Sequence, residues 1–278
     1  MPSQAEKASA FRALHEAPEP FIIPNPWDAG TAKALTAMGF KALATTSSGY
    51  AFTAGKPDGA LAVTREEVLA NARAIAMASP LPVSADLENL YAHEPKEAAK
   101  TVLMAADAGL VGCSIEDWSG DADLQIYKFD FAVKRVAAAV EAARSLPFPF
   151  TLTARSENLI RNRKDLDDTI RRLQAYEAAG ADVLYAPGLN DVAAIERVTS
   201  SVSKPVNALS TSANAHLSLD DFVRVGVKRI SVGGGLARVA TGAFLSAARE
   251  MAEHGTFTQS KNVPPSAELD GLLRSGGP

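Results

Sequence analysis

Three short apolar stretches of this chain end in carboxylates. Ser84-Ala85-Asp86-Leu87-Glu88 carries two acids at alternate positions, Ser114-Ile115-Glu116-Asp117 carries two in succession, and Thr153-Ala154-Arg155-Ser156-Glu157 sets an arginine near another. In an extended chain alternate residues share a face, so Asp86 and Glu88 are expected on one side. Carboxylates crowded into a partly buried place repel one another and must be protonated, paired or bound to a metal. This group offers only oxygen donors, with no histidine or cysteine beside them. Such a set selects a hard ion, Mg2+ with Mn2+ as the alternative, over Zn2+. Magnesium keeps several waters and takes one or two carboxylates directly. Asp86 is therefore expected to ligate directly, with Glu88 and Glu116 holding metal-bound water. The competing explanation is a set of rim salt bridges with Arg155 as the structural partner.

Other residues discriminate between chemistries. Thr45-Thr46-Ser47-Ser48-Gly49-Tyr50 follows an apolar run, and small hydroxyl residues with a glycine can present backbone N–H groups to an anion. A bare loop is the plainer alternative. Gly233-Gly234-Gly235 leads into a helical pattern, where a barrel enzyme can hold a phosphate; close packing of that helix explains the glycines equally well. A Schiff-base aldolase needs a lysine inside the barrel, and Lys41, Lys204 and Lys228 fall at strand beginnings, the wrong end. His93 and His216 follow the third and seventh runs and could approach the site, whereas His15 and His254 belong to terminal helices. Cys113 reads as a small buried side chain.

The elements that must position these residues recur through the chain. Eight apolar, β-branched runs appear at Phe21–Pro24, Ala42–Ser47, Pro82–Glu88, Val111–Asp117, Phe150–Glu157, Asp182–Pro187, Pro205–Ser210 and Arg229–Val232. Helical spacing fills the intervals, at about Thr31–Met38, Arg65–Ser79, Pro95–Ala108, Asp130–Ser145, Leu166–Ala179, Val192–Ser200, Leu219–Val225 and Leu236–His254. Thr64 with Glu67 forms a capping box. Gly39, Gly109, Gly180 and Gly226 each stand just past a helix and before a strand, where left-handed backbone is easiest for glycine. Eight such units predict one (β/α)8 barrel over residues 1–255, and 278 residues suit it. No G-x-G-x-x-G follows the first run, so the dinucleotide-binding alternative loses its best signal. Residues 256–278 are expected to be a polar tail, frayed or packed on a neighbouring subunit, with Ala267–Leu273 able to form a short helix.

A net charge of −4 with no dense Lys/Arg run argues against a nucleic-acid partner. No signal peptide and no run of about 18 apolar residues is seen, so neither export nor a membrane span is expected. One cysteine permits no internal disulfide, which suits a reducing, cytoplasmic setting.

The order and spacing of these stretches, together with the Lys56-Pro57-Asp58 loop and Leu173–Leu184, resemble the isocitrate lyase / phosphoenolpyruvate mutase superfamily over about Phe21 to Met251. The resemblance implies a Mg2+-dependent lyase acting on small 2-oxo or 2-hydroxy acids through an enolate-like intermediate, with a C–C or P–C bond broken. It implies that Asp58, Asp86, Glu88 and Glu116 form the metal site. Arg155 contacts the substrate, and Ser48, Gly49 and Tyr50 bind its carboxylate. Asn207, in the seventh run, joins the substrate-binding set, and Tyr50 or Tyr185 is a candidate to move the proton. Homotetramers that exchange the last helix are implied too, with Leu236–His254 in that role. The chain also departs from the family pattern. Glu88 replaces an aspartate, and the loop Asp117–Phe129 has neither the lyases' Cys-Gly-His nor the mutases' Lys-x-Asn. The sixth run ends Tyr185-Ala186-Pro187 without the mutase histidine. Isocitrate and methylisocitrate cleavage, and mutase activity, therefore lack their expected residues, and a barrel that has lost catalysis and serves as a ligand-binding protein is the alternative.

Overall fold

The computed structural model describes residues 1–59 and 61–277. All eight predicted strands form, each shorter than its apolar run: β1 Phe21–Ile23, β2 Leu43–Ala44, β3 Val83–Ala85, β4 Gly112–Glu116, β5 Thr151–Arg155, β6 Val183–Tyr185, β7 Val206–Leu209 and β8 Arg229–Ser231. They pair in parallel in the order β1-β8-β7-β6-β5-β4-β3-β2. The remaining seam, between β1 and β2, is joined by the Ala44 N–H donating to the Pro24 carbonyl at 3.0 Å and by Asn25 Nδ2 donating to the Thr45 carbonyl at 2.9 Å. The chain is a (β/α)8 barrel.

The helices are α1 Gln4–Glu16, α2 Ala29–Ala37, α3 Ser47–Thr53, α4 Arg65–Ala78, α5 Pro95–Asp107, α6 Phe129–Arg144, α7 Leu166–Ala178, α8 Val192–Thr199, α9 Leu219–Arg224, α10 Gly235–His254 and α11 Ser266–Ser275. The Thr64–Glu67 capping box is present, and Gly39, Gly109, Gly180 and Gly226 all have positive φ at the corners between helix and strand. Helix α3 stands where the sequence suggested a turn. The Ala267–Leu273 segment lies within α11, which packs on α2 so closely that a Cβ on Gly276 would strike the Lys33 carbonyl. Helix α10 is unlike the other barrel helices, since of its 20 residues only Ala237 is buried. Val239 and Phe244 are 72% and 68% exposed. Among the described residues no helix is long and apolar enough to cross a membrane.

Helix α1 closes the bottom of the barrel. His15 sits edge-on to Phe11 and Phe21, with Nδ1 2.8 Å from the Phe11 carbonyl and Nε2 3.4 Å from Arg229 Nη1. Burial, and then the Arg229 charge, lower its pKa to about 3. The folded ring therefore stays neutral while the unfolded chain takes up a proton near pH 6.5, so this contribution to stability is present above pH 6.5 and is lost as pH falls toward 3. The unfolding free energy is expected to drop by up to about 1.4 kcal/mol per pH unit below 6 from this group alone. His15→Gln should flatten that slope in urea titrations at pH 4.5 to 7; an unchanged slope would rule out His15 as its source.

Candidate active site

The C-terminal ends of the strands open on a cavity of about 310 Å³ lined by Asp58, Asp86, Glu88, Glu116, Glu157, Arg155 and Arg161, with Ser47, Ser48 and Tyr185 among the others. A smaller chamber of about 60 Å³ lies beneath it, lined by Thr153, Asn207, Arg229 and Ser231, and shares Asp86, Arg155, Tyr185 and Gly233. All four acids expected at a metal site thus face one space.

Arg155 organises the cavity from the end of β5. Its Nη1 is 2.8 Å from Asp86 Oδ1, and its Nη2 lies 3.2 Å from Glu116 Oε2 and 2.8 Å from Glu157 Oε1. The ring of Tyr185, one strand over, lies 4.9 Å from the guanidinium carbon. Asp86 is further held by Ser47, whose backbone N–H and hydroxyl donate to Oδ2 at 3.2 and 2.9 Å, and by the Ser114 hydroxyl at 3.3 Å from Oδ1.

Glu88 reaches the cavity by a different route from the one the alternation suggested. Strand β3 ends at Ala85, and Glu88 lies in a turn with φ +47°, followed by Leu90 and Tyr91 at positive φ. Left-handed backbone in non-glycine residues costs of order 1 kcal/mol each and persists only where the surroundings impose it. Here the Leu90 N–H donates to the Leu87 carbonyl at 2.7 Å, and the Glu116 N–H donates to the Glu88 carbonyl at 3.0 Å. Leu87 is driven fully into the core, and Glu88 turns the other way.

Five carboxylates face two guanidiniums in this cavity, and the excess charge shows in the titration of the acids. Glu88 is pushed up to about 7, first by burial and then by Asp86 and Asp58. Asp58 is raised by burial and by Asp86. Glu116 is raised well above the ordinary range by burial and by Glu157, against the pull of Arg155. A carboxylate cluster short of positive charge is the donor chemistry that a divalent cation fits. Among the described residues no three His, Cys, Asp or Glu side chains are arranged to hold an ion directly, so an ion here would keep part of its water shell. Asp86 is the acid most committed to protein donors, which differs from its expected role as the direct ligand.

The Ser48–Tyr50 segment is only partly delivered. The Gly49 N–H donates to Thr46 Oγ1 at 3.3 Å and the Tyr50 N–H to the Thr46 carbonyl at 3.1 Å, as the first turn of α3 requires. Those donors are therefore not offered to a ligand. Ser48 lines the cavity, whereas Tyr50 packs against the core. Asn207 lines only the lower chamber, tied by Nδ2 to the Ser231 hydroxyl at 2.9 Å and accepting from Arg229 Nε at 2.8 Å. Of the two tyrosines considered, Tyr185 lines the cavity. Its hydroxyl is raised in pKa mainly by burial, so it stays protonated and can act as a donor.

Sequence inspection noted Ser47 and Glu157 without giving either a role, and missed Arg161 and Asn25. The Val232 and Gly233 N–H groups both donate to Asn25 Oδ1 at 2.9 Å, which removes two donors a phosphate at Gly233–Gly235 would use. Gly234 is needed for close approach instead, because a Cβ there would come within 2.3 Å of Ser48 Oγ. His93 pairs with the Tyr127 hydroxyl at 2.7 Å, His216 is exposed, and Cys113 is buried. No described histidine, lysine or cysteine lines the cavity.

Several known proteins resemble this chain in sequence and fold. The family model described as phosphoenolpyruvate phosphomutase matches residues 11–252. A solved structure from Burkholderia cenocepacia J2315, provisionally named a lyase/mutase, is 55% identical with a TM-score of 0.94, covering 97% of this chain and 96% of that one. A Corynebacterium glutamicum protein provisionally named 2-methylisocitrate lyase 2 is 32% identical across 74% of this chain and 67% of its own length. An oxaloacetate decarboxylase from Bradyrhizobium diazoefficiens is 30% identical across 78% of this chain and 72% of its own length.

Proposed function

The chain belongs to the phosphoenolpyruvate mutase / isocitrate lyase superfamily and is an enzyme of its lyase/mutase type. On that premise we propose that it cleaves a carbon–carbon bond beside the carbonyl or carbinol carbon of a small acid of oxaloacetate or methylmalate type, with Mg2+ or Mn2+ bound. The observation that carries this proposal is Glu88, a buried carboxylate raised to about 7 among Asp58, Asp86 and Glu116 in one cavity with Arg155. Glu88, Glu116, Asp58 and Asp86 would hold the ion, largely through water. When bound, the ion supplies a positive centre for the charge that develops on the substrate's oxygen.

The chain's own residues supply the rest. Arg155 is a preformed positive charge at the cavity floor, oriented by three acids and therefore costing little reorganisation when an enolate-like oxygen gains charge. Ser47 fixes Asp86, and Ser48 offers a hydroxyl toward the substrate carboxylate. Tyr185, held protonated and lining the cavity, would return a proton to the carbon that loses its partner. The bare apolar face of α10 supports a homo-oligomer, a tetramer in our proposal, in which this helix packs on a neighbouring copy.

Purified protein assayed on oxaloacetate, 2-methylmalate-type acids and phosphonopyruvate is expected to turn over one of the first two only with Mg2+ or Mn2+ present. Full activity after exhaustive chelation would sink the metal-dependent mechanism.

A further inference from the structure

The two guanidiniums of the cavity are in different circumstances. Arg155 is paired with three acids, Asp86, Glu116 and Glu157. Arg161 lines the same cavity from the short 3-10 turn Asn158–Arg161 after β5, and its Nε is buried with no hydrogen-bond partner among the described residues. Its ion-pair neighbour there is Glu157, whose Oε2 stands 3.7 Å from that Nε, beyond hydrogen-bonding distance. Glu157 has already committed Oε1 to Arg155, at 3.1 Å from Nε and 2.8 Å from Nη2.

Two loops converge on Arg161. Its guanidinium carbon lies 4.3 Å from the centre of the Trp118 ring, in the segment where the lyases' Cys-Gly-His motif is missing. Its Nη1 is 3.8 Å from where a Cβ on Gly59 would stand, beside Asp58. The indole face attracts the cation and restrains its plane without consuming any of its N–H donors. The result is a positioned planar fork, with donors to spare, in a cavity where Arg155 already pairs with three acids. Such a fork matches a carboxylate in two-point contact.

We infer that Arg161 binds a second carboxylate of the substrate, making the enzyme selective for dicarboxylic over monocarboxylic acids, with Trp118 as the positioning residue. This rests on the proposal that the cavity takes a 2-oxo or 2-hydroxy acid. A cation at this end stabilises negative charge that stays there. The second carboxylate is therefore one the reaction retains, not one expelled as CO2.

Calorimetry with Mg2+ on the full-length protein separates the possibilities. Oxalate serves as the ligand without a distal carboxylate, and 3,3-difluorooxaloacetate as the ligand that has one. Arg161→Gln is expected to weaken difluorooxaloacetate binding by about 10- to 100-fold and to leave oxalate within about 2-fold, the range of a lost charged hydrogen-bond pair. Arg161→Lys, which keeps the charge but loses the planar fork, should keep only part of the preference, and Trp118→Leu should lose about 5-fold on difluorooxaloacetate alone. Equal weakening of both ligands by Arg161→Gln would assign Arg161 a merely structural role beside Glu157 and overturn the inference, as would no weakening of either. Wild-type protein that binds neither ligand would overturn the cavity assignment and this inference with it.

Discussion

Replacing Arg155 with glutamine is expected to lower turnover by about 10³-fold and to destabilise the metal-free protein by about 3–5 kcal/mol. Both effects have one cause. The side chain is 13% exposed and sits among Asp86, Glu116 and Glu157, so its removal leaves buried carboxylates facing one another. A buried charge stripped of its partner costs far more than a surface pair is worth. The lost stability should return in part when Mg2+ is added, because the ion then replaces some of the missing positive charge. Thermal unfolding with and without Mg2+ tests this: the ion should raise the melting temperature more in Arg155→Gln than in the parent. Turnover within tenfold of the parent would remove Arg155 from the reaction. A variant no more responsive to Mg2+ than the parent would disconnect the arginine from the metal site.

The second large effect is expected next to the cavity. Glu116 and Asp117 are neighbours in sequence, yet they serve different layers. Successive residues leaving a strand point to opposite faces, so Glu116 enters the barrel mouth and Asp117 enters the packing between strands and helices. Asp117 Oδ1 accepts the Glu157 N–H at 2.7 Å, while Oδ2 accepts from Arg172 Nη1 at 3.0 Å and from the Tyr176 hydroxyl at 2.7 Å. Arg172 and Tyr176 belong to α7, and all of these side chains are buried. Asp117→Ala should cost about 3 kcal/mol or more, since three buried donors lose a carboxylate acceptor and Arg172 keeps Asp168 as its ion-pair partner, with the Tyr127 carbonyl at 3.1 Å from Nη1. Urea unfolding reads the loss directly. A shift below about 1 kcal/mol would mean that water replaces the carboxylate, and Asp117 would then be no anchor of the fold.

Much of the molecule was legible in one dimension because its cues are local. Strand and helix periods, the Thr64 cap and the corner glycines depend on residues a few positions apart, and all eight units appear where those cues stand. The same applies to the charged residues of the site: Asp86, Glu116 and Arg155 come at strand ends, and a parallel barrel sends every strand end to one rim. What tertiary structure alone decided is which of those groups are free to act. Glu88 reaches the cavity through a left-handed turn imposed by Leu87 in the core and by the neighbouring strand. Ser47 is tied to Asp86, a pairing no local pattern indicated, while α3 engages the N–H groups of Gly49 and Tyr50 within its first turn. Asn25 claims the donors of the Gly233 run from 208 positions away. Arg161, an ordinary arginine in a polar stretch four residues after Glu157, becomes distinctive only when Trp118, from another segment, closes over it. Short-range spacing specifies backbone form; the free donors and acceptors depend on partners distant in the chain, and no local pattern encodes those.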